Sequence, residues 1–183
     1  MSIPTQFLLM QLKKSEGFRP KPYVCPTGHA TIGYGHNLEA HPQAIRQWDA
    51  NLAAQVEAAE LAGKSLAGKS LVDALNRTGM VWDESYAWHW LANDVRQFAA
   101  RLELACPQYC GLLARGDEVR AEVLVDMAFN MGVGGLLNFR KMLAAIDQGD
   151  FGVAADEMLN SQWARQVGKR AEHLARQMRM GVR

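Results

Sequence analysis

The chain has 183 residues, 49% of them hydrophobic and 21% charged, with a formal net charge of +1. These values describe one domain or two closely packed lobes, and exclude a chain that acts through its overall field. No apolar run approaches the roughly 20 residues of a membrane span, and three cysteines are too few and too odd for a disulfide framework.

Pro4–Ser15 predicts a helix: Leu8 and Leu12 recur at helical spacing, and Glu16 is the next position on that row. A carboxyl group thus continues an apolar stripe, where desolvation favours its protonated form. Gly17 suits the left-handed residue that ends a helix. In the opening MSIPTQFLLMQLKK the lysines follow a short apolar core, which is not the order of a signal peptide. On that ground the chain is expected to be made and kept in a cytoplasm unless something else exports it. Tyr23–Cys25, the turn signal Pro26–Gly28 and Ala30–His36 predict a β-hairpin.

After Pro42 the pattern is helical. Ile45, Trp48, Leu52 and Val56 keep helical spacing, and Leu61–Leu71 is a tandem LAGKS repeat whose composition predicts a loop or a frayed helix end. Trp82–Leu102 predicts a long helix with Asp83 and Glu84 near its positive end. Glu118–Met131, Leu136–Gln148, Phe151–Asn160 and Gln162–Met180 predict further helices. The sum is an α+β chain, mostly α: a small hairpin lobe, a long central helix and a helical lobe. Between Ser161 and Arg183, Arg165, Lys169, Arg170, Arg176, Arg179 and Arg183 face only Glu172. Such a run is either a solvated helix face or a surface for a polyanion, such as a cell wall or nucleic acid.

Two motifs compete for the chemistry. Gly63, Gly68, Lys69 and Ser70 match the phosphate-cradling P-loop pattern. That mechanism needs a strand before the first glycine, whereas AAQVEAAELA is a helix former and duplication of LAGKS generates the match by itself. VLVD at Val123–Asp126 mimics the acidic strand of such proteins but has helical periodicity. The second motif is SEGFRPKPYVCPTGHATIGYGH. Eight residues separate Glu16 from Cys25, and five separate Cys25 from Thr31. Glycosidic cleavage needs a proton donor on one side of the bond, and a nucleophile or water-holding group on the other. Glu16 suits the first part; the Cys25 thiol and the Thr31 hydroxyl suit the second. Cys106 and Cys110 lack a partner pair at zinc spacing and are expected to be buried or idle. His29 and His41 lack ligand-like company, so no metal is expected. Trp82, Tyr86 and Trp90, four apart, predict a packed helix face before a sugar platform.

The run Glu16-Gly17, Tyr23, Cys25, Gly28 and Thr31-Ile32-Gly33-Tyr34-Gly35-His36 resembles the active-site segment of phage-type lysozymes, the endolysins of glycoside hydrolase family 24. Their pattern is Glu, eight residues, Asp or Cys, five residues, Thr. Arg120–Gly132 resembles their central helix, Asp83–Leu102 the helix linking the lobes, and Ser161–Ala171 their C-terminal stretch. The stretch from about His41 to Leu71 has no obvious counterpart and looks like an insertion, or a helix lengthened relative to shorter family members. The resemblance implies one two-lobed lysozyme-like domain over 1–183, with a hairpin lobe at about 16–80, a linking helix at about 82–102, and a helical lobe at about 103–183 that takes in the N-terminal helix. It implies hydrolysis of the β-1,4 bond between N-acetylmuramic acid and N-acetylglucosamine in bacterial peptidoglycan. Glu16 is then the general acid, Cys25 fills the position more often held by Asp, and Thr31 positions water. A Cys25 thiolate could steady charge on the sugar, orient water or attack the anomeric carbon. Arg170 is expected to pair with Glu16, and His36 with Asp94 as a structural ion pair. No cofactor, nucleic acid partner or membrane insertion is implied. A monomer would wait in the host bacterial cytoplasm until a separate holin-type protein gives it access to the periplasmic wall. The rival readings are a non-catalytic wall-binding protein of the same fold and, more remotely, a P-loop nucleotide-binding protein.

Overall fold

The computed structural model describes residues 5–64 and 66–183. The chain forms two compact units, one of Gln11–Asp94 and one of Val95–Arg183 with the described residues before Gln11. Helices α1 (Gln6–Glu16) and α5 (Glu84–Ala105) each supply residues to both.

In the first unit, α1 stops at Glu16 because Gly17 turns left-handed, with φ of 69°. Leu8 and Leu12 on its apolar row are fully buried, and Glu16 at the end of that row is only half-buried. A three-stranded antiparallel sheet follows, in the order β1 (Arg19–Val24), β2 (Ala30–Gly33), β3 (His36–Asn37). Tyr23 pairs with Thr31, and Ile32 with His36. The expected hairpin strand Ala30–His36 is therefore two strands. Gly33 and Gly35 take φ of 66° and 86°, which breaks the extended run into a turn. Every residue of β2 is buried.

The helical pattern after Pro42 is also divided. α2 (Gln43–Trp48) ends at Asp49, which is extended at φ of −148° and caps α3 (Ala50–Leu61) by accepting from the Asn51 and Leu52 N–H groups. The Leu61–Leu71 repeat is not loop throughout: its second half opens α4 (Gly68–Arg77). Helix propensity of the following Leu71–Leu75 stretch extends back over Lys69 and Ser70, and Gly68 forms the break. Fully or almost fully buried Ile32, Leu38, Ile45, Leu71, Leu75, Met80 and Trp82 make the core of this unit. Among them stand His36 and Asp94, also buried, with His36 Nδ1 2.8 Å from Asp94 Oδ2. The His36 ring lies 4.6 Å from Trp90 and 5.5 Å from Trp82, centre to centre.

The second unit is helical. α6 (Pro107–Ala114) has no counterpart among the sequence expectations, although Pro107 occupies the first turn where proline is favoured. α7 (Glu118–Leu137) runs through the centre, and Ala121 to Ala128 are all buried. It kinks at Gly132, with φ of 79° and ψ of 158°, at the expected glycine joint. α8 (Arg140–Asp147) starts later than expected because Asn138 ends α7, and α8 packs on α9 (Phe151–Leu159). The expected helix Gln162–Met180 is two, α10 (Gln162–Val167) and α11 (Lys169–Met180), divided where Gly168 takes φ of 56°.

Two buried carboxylates of α7 are paired inside this unit. Arg170 Nε donates to Asp126 Oδ1 at 2.8 Å, and Glu122 accepts from the Thr5 hydroxyl and from Arg183 at 3.1 Å. Arg179 meets Asp156 at 2.5 Å. The C-terminal basic run thus spends three of its arginines on carboxylates of α7 and α9. Among the described residues no helix is long and apolar enough to cross a membrane.

Candidate active site

Three sequence-selected side chains lie in the sheet-bearing unit. Glu16 is delivered by the last turn of α1, and Gly35 lets the backbone pass beneath it: a Cβ at Gly35 would stand 3.7 Å from Glu16 Oε2. Cys25 follows β1 directly and opens a tight turn. Its N–H donates to the His29 carbonyl at 2.9 Å, and the Gly28 N–H donates back to the Cys25 carbonyl at 2.9 Å. Thr31 sits opposite Tyr23 on β2, 4% exposed, and its hydroxyl donates to the same His29 carbonyl at 3.1 Å.

Cys25 is half-buried and its sulfur lies 3.0 Å from Thr27 Oγ1. Burial pushes the thiol pKa up, but hydrogen bonds from the Thr27 and Thr31 hydroxyls and from the His29 and Thr27 backbones outweigh it and bring the value to about 7. A hydroxyl has one proton to give, so ionisation of the sulfur draws the Thr31 proton from the His29 carbonyl toward the thiolate. Thr27, inside the turn, is a contributor that the motif did not single out. A turn threonine carries no periodicity that would have marked it.

Tyr23 joins the two ends of the site. Its phenol pKa is raised by burial first, against the opposing Arg19 guanidinium stacked 4.3 Å from its ring, and then by the charges of Glu16 and Cys25. Both reactive groups therefore lie within electrostatic reach of one side chain. Cys25 in this setting can present a thiolate at neutral pH.

The supporting residues fall as follows. His36 and Asp94 are joined, buried and set in an aromatic cluster. Arg170 lies in the helical unit beside Asp126. Trp82 and Trp90 are buried and stack at 6.0 Å with Tyr86 edge-on to both, so this face is packed against the interior. His29 has more company than its sequence neighbours suggested: its Nδ1 lies 2.8 Å from Glu39 Oε2. His41 stacks on His36 at 5.4 Å. Among the described residues no group of three or more His, Cys, Asp or Glu is placed to hold a metal ion. In the helical unit, a groove of about 460 Å³ is lined by Phe139, Trp163, Asn138, Asn160, Arg140 and Lys141 among others.

The described residues of the P-loop pattern are engaged elsewhere. Helix α3, rather than a strand, leads into Gly63. Lys69 pairs with Asp73 at 2.7 Å, the Ser70 hydroxyl donates to the Ala67 carbonyl at 2.8 Å, and Asp126 is a helical residue held by Arg170.

A sequence profile of the family described as phage lysozyme matches residues 13–180. The chain belongs to the phage lysozyme family. It is a lysozyme-type hydrolase by that membership, and its mostly helical α+β architecture with a small antiparallel sheet is a lysozyme-like fold. A probable T4-type lysozyme 1 of Dictyostelium discoideum is 26% identical over 163 residues, covering 89% of this chain and 88% of that protein. The pre-baseplate central spike protein Gp5 of Enterobacteria phage T4 is 28% identical over 174 residues, which is 93% of this chain but 27% of the spike protein.

Proposed function

We propose that the protein cleaves the β-1,4 bond between N-acetylmuramic acid and N-acetylglucosamine in bacterial peptidoglycan. What supports this is the family match together with the placement of Glu16 over Gly35, of Cys25 at the head of its hydrogen-bonded turn, and of Thr31 on the carbonyl that also takes the Cys25 N–H. Glu16 gives its proton to the leaving glycosidic oxygen, a contribution of about 10²–10⁴ in rate. The Cys25 thiolate and the Thr31 hydroxyl organise the opposite face of the sugar, where positive charge develops. A thiolate replaces the charge of the commoner carboxylate at this position, which supports a catalytic rather than a purely wall-binding role. Arg170, carried over from the family resemblance, is assigned to orienting the acid.

The chain works as a monomer that reaches the wall from the host cytoplasm once a separate holin-type protein opens the membrane. Mass analysis of digested wall fragments, comparing the natural chain with Glu16→Gln, tests the bond and the acid together. Muramic acid at the new reducing end, lost in the variant, is the expected outcome. Clearing at an unchanged rate by Glu16→Gln would refute the assignment. Product anomer analysis with Cys25→Ser and Cys25→Asp separates attack by sulfur from activation of water.

A further inference from the structure

We propose that Glu39 is the positioning residue for the turn that carries Cys25 and Thr31, and that the second LAGKS copy is the buttress it ties that turn to. The proposal rests on the lysozyme reading of the site.

Glu39 follows β3, and its carboxylate collects three donors from two segments, the His29–Ala30 end of the turn and the start of α4. Oε1 accepts from the Ala30 N–H at 2.7 Å and from the Gly68 N–H at 2.6 Å, and Oε2 lies 2.8 Å from His29 Nδ1. Its own loop is fixed in turn, because Asn37 Oδ1 accepts from the Glu39 and Ala40 N–H groups at 2.9 and 3.0 Å. His29 is the hub on the other side. The carbonyl of the same residue takes both the Cys25 N–H and the Thr31 hydroxyl. One residue therefore separates the Glu39 carboxylate from both groups assigned to the far face of the sugar.

The buttress is as specific as the clamp. Gly68 begins α4 with φ of 52°, and a Cβ there would lie 2.8 Å from the Gly28 carbonyl oxygen, so only a glycine lets the helix abut the turn. Ala67 at the helix cap has no side chain to satisfy the first N–H groups. Glu39 does so instead, and its charge suits the positive end of the helix. Gly63, the corresponding glycine of the first copy, only closes α3, and a Cβ there would meet nothing within 4 Å. Duplication thus placed one copy at a helix end and the other against the site. Burial tends to protonate Glu39, but the bonds from Ala30, His29 and Gly68 overcome it, so the clamp is ionised at neutral pH. His29 is correspondingly easier to protonate.

The test follows Cys25 alkylation by iodoacetamide across neutral and alkaline pH, resolved from Cys106 and Cys110 by peptide mass, alongside melting temperature and wall-lysis kinetics. The charged and titratable groups around the turn are His29, Tyr23, Glu16, Arg19 and Glu39, with the Lys69–Asp73 pair on α4. The variants are Glu39→Gln, Glu39→Ala and Gly68→Ala. Loss of the clamp in Glu39→Ala and Gly68→Ala raises the alkylation midpoint by about half a unit or more, because Cys25 loses ordered donors. It lowers kcat about tenfold, with KM within about twofold. Glu39→Gln keeps an oxygen for the two backbone N–H groups and falls between. Variants that are folded, whether or not they melt earlier, and that keep the wild-type alkylation midpoint and kcat would overturn the proposal. A shifted midpoint in a protein that never clears walls would support the positioning role while removing the lysozyme reading.

Discussion

Replacing His36 by Asn tests the claim that His36 and Asp94 hold the sheet-bearing unit together and take no part in turnover. Both side chains are almost wholly buried, at 2% and 5% exposure, and the bond between them is 2.8 Å. Among the described residues His36 Nε2 and Asp94 Oδ1 find no hydrogen-bond partner, so each residue depends on the other for a strong bond. Removing the imidazole strands a buried carboxylate, which by itself costs about 3 kcal/mol or more. Ring contacts with Trp82 and Trp90 are lost as well, each worth about 0.5–1.5 kcal/mol. Taking about 3 kcal/mol as the floor, the melting temperature of a chain this size falls by about 6–12 °C. The assay is thermal unfolding together with wall-lysis rates at a temperature where both proteins are folded. Turnover per folded molecule stays within about twofold, well short of the losses that follow removal of a general acid or base. The cycle His36→Asn, Asp94→Ala and the double variant then gives a coupling of about 1–3 kcal/mol. A His36→Asn protein that melts within about 2 °C of the parent, or one that is fully stable and inactive, would refute the structural assignment.

Cys25 should report its environment through pH. With its pKa lowered to about 7 from 9.0, the thiolate grows in as pH rises through neutrality, so the iodoacetamide rate has its midpoint there; a midpoint near 9 contradicts the hydrogen-bonded turn. The sign for stability follows from the same shift. A folded-state pKa below the unfolded one contributes stability that is complete above the unfolded value and is lost as pH falls through the folded one. Wild type should therefore gain urea resistance over Cys25→Ser between about pH 7 and pH 9, and parallel curves would count against it. Gly33→Ala should be poorly tolerated, since φ is 66° and a new Cβ would stand 3.0 Å from the Trp82 ring and 3.1 Å from Ala87; a loss of about 1–3 kcal/mol is expected in urea unfolding. Asp126→Ala removes the buried carboxylate that Arg170 Nε bonds at 2.8 Å and should cost about 1–3 kcal/mol in urea unfolding, whereas a P-loop acid on the surface would be neutral.

Much of this molecule is legible from local pattern, and two of the exceptions share one cause. Leu8, Leu12 and Glu16 lie on one row of α1, and that row alone puts a carboxyl at a helix end with apolar company. The spacing from Glu16 to Cys25 to Thr31 survives because each is fixed by a nearby element: a helix terminus, a strand end and a strand interior. These two misses occur where a glycine takes a positive φ inside a run whose side chains still look periodic. Gly35 splits one strand into two, and Gly168 splits one helix into two. Periodicity records which face is apolar; it carries no record of a reversal in the backbone. Glu39 escaped for a different reason. It is a single acid in a loop, and its worth comes from Ala30, His29 and Gly68, nine, ten and twenty-nine residues away. A pattern confined to neighbouring residues can mark a carboxyl on a helix row, but it cannot mark a carboxylate whose partners lie in distant segments.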